Sequence, residues 1–363
     1  MNSASEFEKL LAAVREVEFA QFQRRAALAT IVRTRGSTFR RAGASMLVRE
    51  GRVVCSLSGG CPENDIIARA KKVIASDAAE IARYNDESAG DVLFEAGCGG
   101  ELDVLIEPLT QSVDTRFLDQ LARMHMQRAA GFMATVYACG DVALQPRPQR
   151  LIWNGAAAWS DIADAALADA ILATGTSSAA QSHAYSVRID TAQGTCDVLF
   201  ESVRPVPALA IIGANAAAVA LARNACALGW KTLLIDQREA PPGLPDAAYF
   251  IKCTPATLLD KVPLDAHSSA LVMTFNIERD CEWLDALART PLAYLGAIGS
   301  RERAERMRAV VARHGAHLHA PAGLDIGAET PEEIALAVSA EILAVLNARE
   351  GCSLVGTTTP IHP

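Results

Sequence analysis

Two cysteines stand out for the glycines around them. Cys61 lies in Leu57-Ser58-Gly59-Gly60-Cys61-Pro62-Glu63, and Cys98 in Gly97-Cys98-Gly99-Gly100. A thiol becomes a useful nucleophile or soft metal ligand only as the thiolate, and a helix start favours that form. Unpaired N–H groups and the positive end of the helix dipole lower its pKa there. The run Arg52 to Leu57 reads as a strand, and Ile66, Ile67, Ala70, Val73 and Ile74 recur behind Cys61 at helical spacing. Cys61 is then the expected N-cap, with Pro62 suited to the first helical position and Glu63 to the positive end of the dipole. Cysteine also serves as a small buried hydrophobe. The adjacent glycines speak for a backbone that approaches a ligand closely. At Cys98 the three glycines make poor material for a core strand, which leaves a close approach by a ligand, or a bulge or tight turn.

A third stretch, Arg35-Gly36-Ser37-Thr38-Phe39-Arg40-Arg41, combines glycine, hydroxyls and arginines. Converging N–H groups and forked guanidinium donors can hold an anion, and a solvated basic turn has the same composition. A hairpin of Ser45 to Glu50 with Arg52 to Leu57 links this loop to Cys61, so the two belong to one small unit.

At 363 residues, half of them apolar, the chain has material for two cores. The formal charge of −8, with no basic cluster, opposes nucleic acid and anionic lipid as partners. Nine cysteines are scattered without a CxxC pair, and Met1 to Glu6 shows no leader-like pattern. A reduced, cytoplasmic chain without disulfides or a membrane segment is expected.

The elements that must carry these loops follow in order. Glu6 to Phe22 reads as an amphipathic helix, Ala26 to Val32 and Leu102 to Ile106 as strands, and Thr115 to Ala129 as a helix. Further strands are expected at Gly131 to Cys139, Arg150 to Trp153, His183 to Ile189 and Thr195 to Val203, with a helix over Asp161 to Ala173. Arg204-Pro205-Val206-Pro207 has linker composition, giving a small α+β domain over residues 1–204 and a second domain over 208–350.

The second domain alternates strands and helices. Leu209 to Gly213, a helix from Ala216 to Leu228, and Lys231 to Asp236 make the first unit of a Rossmann-like, doubly wound parallel sheet. Asp236 stands where such folds meet a ribose. The phosphate loop Gly213-Ala214-Asn215-Ala216-Ala217-Ala218 keeps only the first glycine of GxGxxG, so NAD(P) binding has little support. Ser269 to Phe275 and Leu292 to Ile298 read as strands, Glu282 to Arg289 as a helix. Gly299-Ser300-Arg301 opens a helix whose amides and arginine suit a phosphate, although such a cap is also common for structural reasons alone. Thr330-Pro331-Glu332-Glu333 is a capping box before a helix over Ile334 to Leu346, and Asp325 lies between Gly323 and Gly327.

Five of these pieces, in order, make the chain similar to the xanthine dehydrogenase accessory family, XdhC/CoxI. They are Gly36-Ser37-Thr38, Ser58 to Glu63, Gly97 to Gly100, Gly296-Ala297-Ile298-Gly299-Ser300-Arg301, and His319 to Glu333. The resemblance implies a cytoplasmic chaperone that binds molybdenum cofactor, a molybdopterin with or without an added cytidine nucleotide. Such a chaperone supports sulfuration by a cysteine desulfurase and delivers the cofactor to the large subunit of an apo-molybdenum hydroxylase. A cofactor nucleotidyltransferase is a further implied partner, and a homodimer an implied assembly. A carrier of this kind needs no chemical step of its own. The expected cofactor-binding residues are Ser37, Gly59, Gly60, Cys61, Glu63, Gly97, Cys98, Gly99 and Gly100, with Gly213, Asp236, Ser300 and Arg301 in the second domain. The family's histidines are replaced here by Ala216 and by Phe275-Asn276. The alternative function is an NAD(P)-dependent oxidoreductase built on the Rossmann-like half.

Overall fold

The computed structural model describes residues 4–19, 25–36, 38–49, 52–57, 61–85, 100–140, 142–178, 183–191 and 194–355. They form two compact units that part between Pro205 and Val206. The fold is mixed α/β, with antiparallel sheets in the first unit and a parallel Rossmann-like sheet in the second.

The first unit opens with α1 (Ala4–Phe19), which buries Phe7, Leu10, Leu11 and Val14 along one helical face. Strands β1 (Ala26–Arg35), β2 (Ser45–Arg49) and β3 (Arg52–Val54) precede α2 (Cys61–Ser76). With β4 (Glu80–Tyr84) and β5 (Glu101–Leu109) they make an antiparallel sheet in the order β3-β2-β1-β5-β4. Central β1 is buried without a break from Ala26 to Val32, because both of its faces are covered. Ile66, Ala70 and Val73 of α2 pack on Ala27, Ala29 and Ile31, while α1 and α3 (Arg116–Met126) close over Ala26, Leu28 and Leu47.

A second antiparallel sheet follows in the same unit. It contains β6 (Gly131–Cys139), β7 (Val142–Ala143), β8 (Gln149–Trp153) and β9 (Ala158–Ser160). After α4 (Ala165–Ser177) come β10 (Tyr185–Thr191) and β11 (Gly194–Val203). The order is β10-β11-β6-β8-β9, with β7 on β6. Val32 and Leu105 of the first sheet meet Tyr137, Ala138 and Leu199 of the second. Cys139 and Cys196 are joined as a disulfide, which corrects the expectation that every cysteine is a free thiol. The β6–β11 register sets them directly opposite with Cα atoms 4.3 Å apart, although 57 residues separate them in sequence. No spacing rule reveals a partner that only strand pairing supplies.

In the second unit β12 (Ala208–Ile212), β13 (Lys231–Asp236), β14 (Tyr249–Lys252), β15 (Ser268–Val272) and β16 (Tyr294–Ala297) form a parallel sheet ordered β14-β13-β12-β15-β16. The order reverses between β12 and β15, the place where such sheets open a crevice. Helices α5 (Ala216–Ala227) and α9 (Pro331–Leu346) cover one face. The other face carries α6 (Leu258–Lys261), α7 (Ile277–Leu287) and α8 (Arg301–Ala312). β15 ends at Val272, short of the expected Phe275, which takes a left-handed conformation at φ 62°. Helix α7 accordingly begins at Ile277, five residues before the expected Glu282. Among the described residues no helix is long and apolar enough to cross a membrane.

Candidate functional site

In the first unit the strand directions gather the motif segments at one end of one sheet. β1 ends at Arg35 and turns through Gly36 at φ 68°. β3 runs parallel to β1 across β2, and beyond Val54 it leads through Cys55 and Ser56 to buried Leu57. β5 begins at Glu101, opposite Arg35, immediately after Gly100. β4 ends at Tyr84, opposite Leu102, so the segment carrying Cys98 leaves and re-enters the sheet at this end.

Side chains tie these pieces together. Arg40 donates to both carboxylate oxygens of Glu6, at 2.7 and 2.8 Å, and to the Ser56 carbonyl at 3.2 Å. The Ser56 hydroxyl donates in turn to Glu63 in the first turn of α2, at 2.5 Å. One turn further, Asp65 accepts from the Tyr84 hydroxyl at 2.8 Å and from Arg69 at 2.6 Å, and Arg69 also bonds Glu80. Burial works against ionisation of Asp65, but the donors Arg69 and Tyr84 prevail and hold its pKa below the ordinary carboxylate value. The start of α2 is thus fastened to the end of β4 and, through Ser56, to the loop after β1.

Each expected site residue of this unit can now be located. Cys61 is the first residue of α2, one position inside the expected N-cap, and Glu63 is a braced member of the network. Gly100 is buried where β5 begins. Ser37, Gly59, Gly60, Gly97, Cys98 and Gly99 lie outside the described residues. The arginines divide their work differently from a simple anion cradle. Arg40 is a brace to Glu6, Arg41 stands 2.7 Å from His183, and Arg35, 3.6 Å from Glu101, keeps its side chain 70% exposed. Arg35 is therefore the forked donor of this loop that faces solvent.

In the second unit a side chain of the protein itself bridges the strand ends at the strand-order reversal. Asn215 caps α5, accepting from Ala218 N–H at 3.0 Å, and its amide donates to the Met273 carbonyl at 2.7 Å. That bond stretches a side chain from the β12 loop to the end of β15, through space a pyrophosphate needs. Gly213, at φ 122°, is required for close packing, since a Cβ there would stand 2.8 Å from the Met273 oxygen. Asp236 is likewise committed internally. It accepts from Ala214 N–H at 2.7 Å, from Arg238 N–H at 2.9 Å, and from the Arg238 guanidinium at 2.9 and 3.0 Å. Both oxygens accept from the chain itself, so the carboxylate expected to meet a ribose braces the loop in this structure.

The same bonds predict a pH effect. Burial tends to raise the Asp236 pKa, but Arg238 and the Ala214 N–H outweigh it and bring it from 3.8 to about 2. A carboxyl depressed on folding contributes stability above its unfolded value and loses it as the pH falls through the folded one. Wild-type stability should decline between about pH 4 and 2 more steeply than that of Asp236→Asn. Urea midpoints taken across that range test this, and parallel declines would refute it.

Ser300 caps α8 by accepting from Arg303 N–H at 3.4 Å, and Arg301 is exposed at its first position. The guanidinium sequence reasoning missed is the half-buried Arg303, which donates to Asp280 at 2.7 Å. Asp280 is fully buried and also accepts from Thr274 N–H at 3.1 Å and the Thr274 hydroxyl at 2.6 Å. A signal was present: Asp280 shares the stripe of Trp283, Leu284 and Leu287 on α7, and an acid on an apolar stripe requires a partner. Beside Gly299, a cavity of about 270 Å³ is lined in part by Asp325, Ile326 and Gly327.

Residues 209–342 match the family model described as the XdhC Rossmann domain, and residues 20–85 match the XdhC and CoxI family. The chain is 30% identical over 328 residues to a probable xanthine dehydrogenase subunit of Bacillus subtilis (strain 168), spanning 88% of this chain and 93% of that one. It is 34% identical over 167 residues to the uncharacterised protein YqeB of Escherichia coli (strain K12), 43% of this chain and 30% of that protein. A solved structure, titled a xanthine dehydrogenase from Bacillus halodurans, matches with a TM-score of 0.77 over 97% of this chain and 98% of its own, at 24% identity. At that identity the likeness establishes the shared fold.

Proposed function

This chain belongs to the XdhC and CoxI family, and from that premise we propose that it matures an enzyme of the xanthine dehydrogenase type by carrying its molybdenum cofactor. The cargo is received at the loop end of the first sheet, held while a cysteine desulfurase supplies sulfur, and passed to the apo-hydroxylase. A nucleotidyltransferase adds the cytidine nucleotide where the client uses that form. The work belongs in the cytoplasm, and a paired Rossmann-like half suits a homodimer.

The observation that supports this most is the fastening of α2 to the end of β4 through Asp65 and Tyr84. It sets a cysteine at the start of a helix and the flanks of the second cysteine segment at one sheet end. The first-turn N–H groups of α2 and the exposed Arg35 are donors suited to the phosphate of a pterin. Thiols are suited to its soft metal–sulfur end, and glycines allow the backbone to come near. Bound there, the cofactor would be shielded until its transfer. The Rossmann-like half serves as scaffold, because Asn215 and Asp236 are committed to internal bonds. A nicotinamide-dependent oxidoreductase finds no such support.

Protein purified anaerobically from a molybdenum-competent host should carry pterin and molybdenum below one equivalent. Cys61→Ala or Cys98→Ala should lower the load several-fold, with Asp236→Asn as the unaffected control. Fluorescence of the oxidised pterin and metal analysis read both. Wild-type protein as empty as the cysteine variants would overturn the proposal, as would saturable NADH binding abolished by Asp236→Asn.

A further inference from the structure

The disulfide found in the second sheet has features of a reversible couple more than of a staple. The two strands need no bond to stay together: β6 and β11 pair from Gly131 to Cys139, and Gly140 N–H donates to the Thr195 carbonyl just beyond. Among the described residues Cys226, Cys253, Cys281 and Cys352 form no disulfide, which is not the pattern of a disulfide scaffold. The two sulfurs also differ in access. Cys139 is exposed, whereas Cys196 is only 5% exposed. Attack from solution therefore has one entrance.

The position of the pair connects it to the rest of the unit. Asp197, next to Cys196 and opposite Ala138, bonds Arg33 of β1 at 3.2 Å. Arg33 also faces Asp103 of β5 at 3.8 Å, and three residues beyond it β1 turns at Gly36. Whatever fixes the ends of β6 and β11 also fixes the acceptor of Arg33.

We propose that Cys139 and Cys196 form a dithiol–disulfide couple, exchanging through Cys139 with small or protein dithiols, that locks and unlocks the strand ends beside Arg33. In the reducing direction a thiolate of the external dithiol attacks the Cys139 sulfur. The Cys139–Cys196 bond breaks, and Cys196 leaves as a thiolate that takes up the proton given up by the attacking thiol. The second thiol of the reagent then closes on the first, releasing Cys139, and the reagent departs as its own disulfide with two electrons passed to the protein. A low-molecular-weight disulfide such as oxidised glutathione drives the reverse. This inference does not depend on the carrier function, and its test involves no cofactor.

The full-length protein is equilibrated anaerobically in glutathione buffers of graded composition, quenched with an alkylating reagent and read by peptide mass spectrometry. Cys139 and Cys196 should lose their labels together in one two-electron transition, and dithiothreitol should restore both labels while the far-ultraviolet dichroism of the fold is unchanged. Amide exchange at residues 137–139 and 195–197 should slow on oxidation. In Cys139→Ser, Cys196 should label far more slowly than Cys139 does in the reduced wild type. Should that variant fail to fold, the wild-type titration decides alone. A bond that survives dithiothreitol until the protein unfolds would make the pair a permanent staple, and two thiols that stay labelled in oxidised glutathione would show no couple at all; either overturns the proposal.

Discussion

Asp280→Ala should destabilise the Rossmann-like unit by about 1–3 kcal/mol, the range for leaving buried donors without their acceptor. The carboxylate is fully buried and holds Arg303, the Thr274 N–H and the Thr274 hydroxyl at once. Arg303 Nε is already buried without a hydrogen-bond partner, so the variant would strand the guanidinium further. Asp280→Asn should cost less, since an amide oxygen still accepts from Thr274 while the charge pairing is lost. The effect should reach the crevice, because the residue after Thr274 is Phe275 in its left-handed conformation. Urea unfolding with exchange measured by peptide separates this unit from the other. A loss below about 1 kcal/mol would mean that Arg303 finds another acceptor.

In the first unit Glu107→Ala should cost more, about 3–5 kcal/mol, the range for removing one partner of a buried ion pair. Glu107 and Arg150 are bonded to each other and almost wholly buried, where β5 of one sheet meets β8 of the other. Burial pushes the Glu107 pKa up, and Arg150 opposes that shift. The Arg150 guanidinium also lies 3.8 Å above the centre of the Phe117 ring. Removing the pair as a unit is a different matter: Glu107→Leu with Arg150→Met should recover most of the loss, because apolar groups replace two charges that had to be desolvated. A double variant as unstable as Glu107→Ala would contradict this account.

The sequence disclosed elements wherever one pattern dominated. Apolar residues at helical spacing gave α1 and α2, and the capping box of Thr330 and Glu333 marks the start of α9 as expected. β12 and β13 were legible because β12 is buried throughout, β13 is buried from Thr232 to Asp236, and the two bracket a helix. Four strands were not, and of these β7 and β9 have only two and three residues. β4 is only five residues long and carries Glu80 and Arg83, and β14 is four residues with Tyr249 63% exposed, so neither shows the apolar run of a central strand. The site was legible in its residue types and hidden in its partners. Nothing about Arg40 foretold Glu6, and nothing about Asp236 foretold a guanidinium two residues later that would take both its oxygens. The first contact joins segments 34 residues apart, which local periodicity does not encode, and the second depends on the rotamer Arg238 takes just after β13.

Asn215 has a bearing on how this fold changes use. One side-chain amide, turned toward Met273, occupies the room in which relatives of this architecture seat a dinucleotide. A glycine in its place would vacate that room at the modest expense of a helix cap. One side chain therefore decides whether the two strand ends are bridged across the crevice.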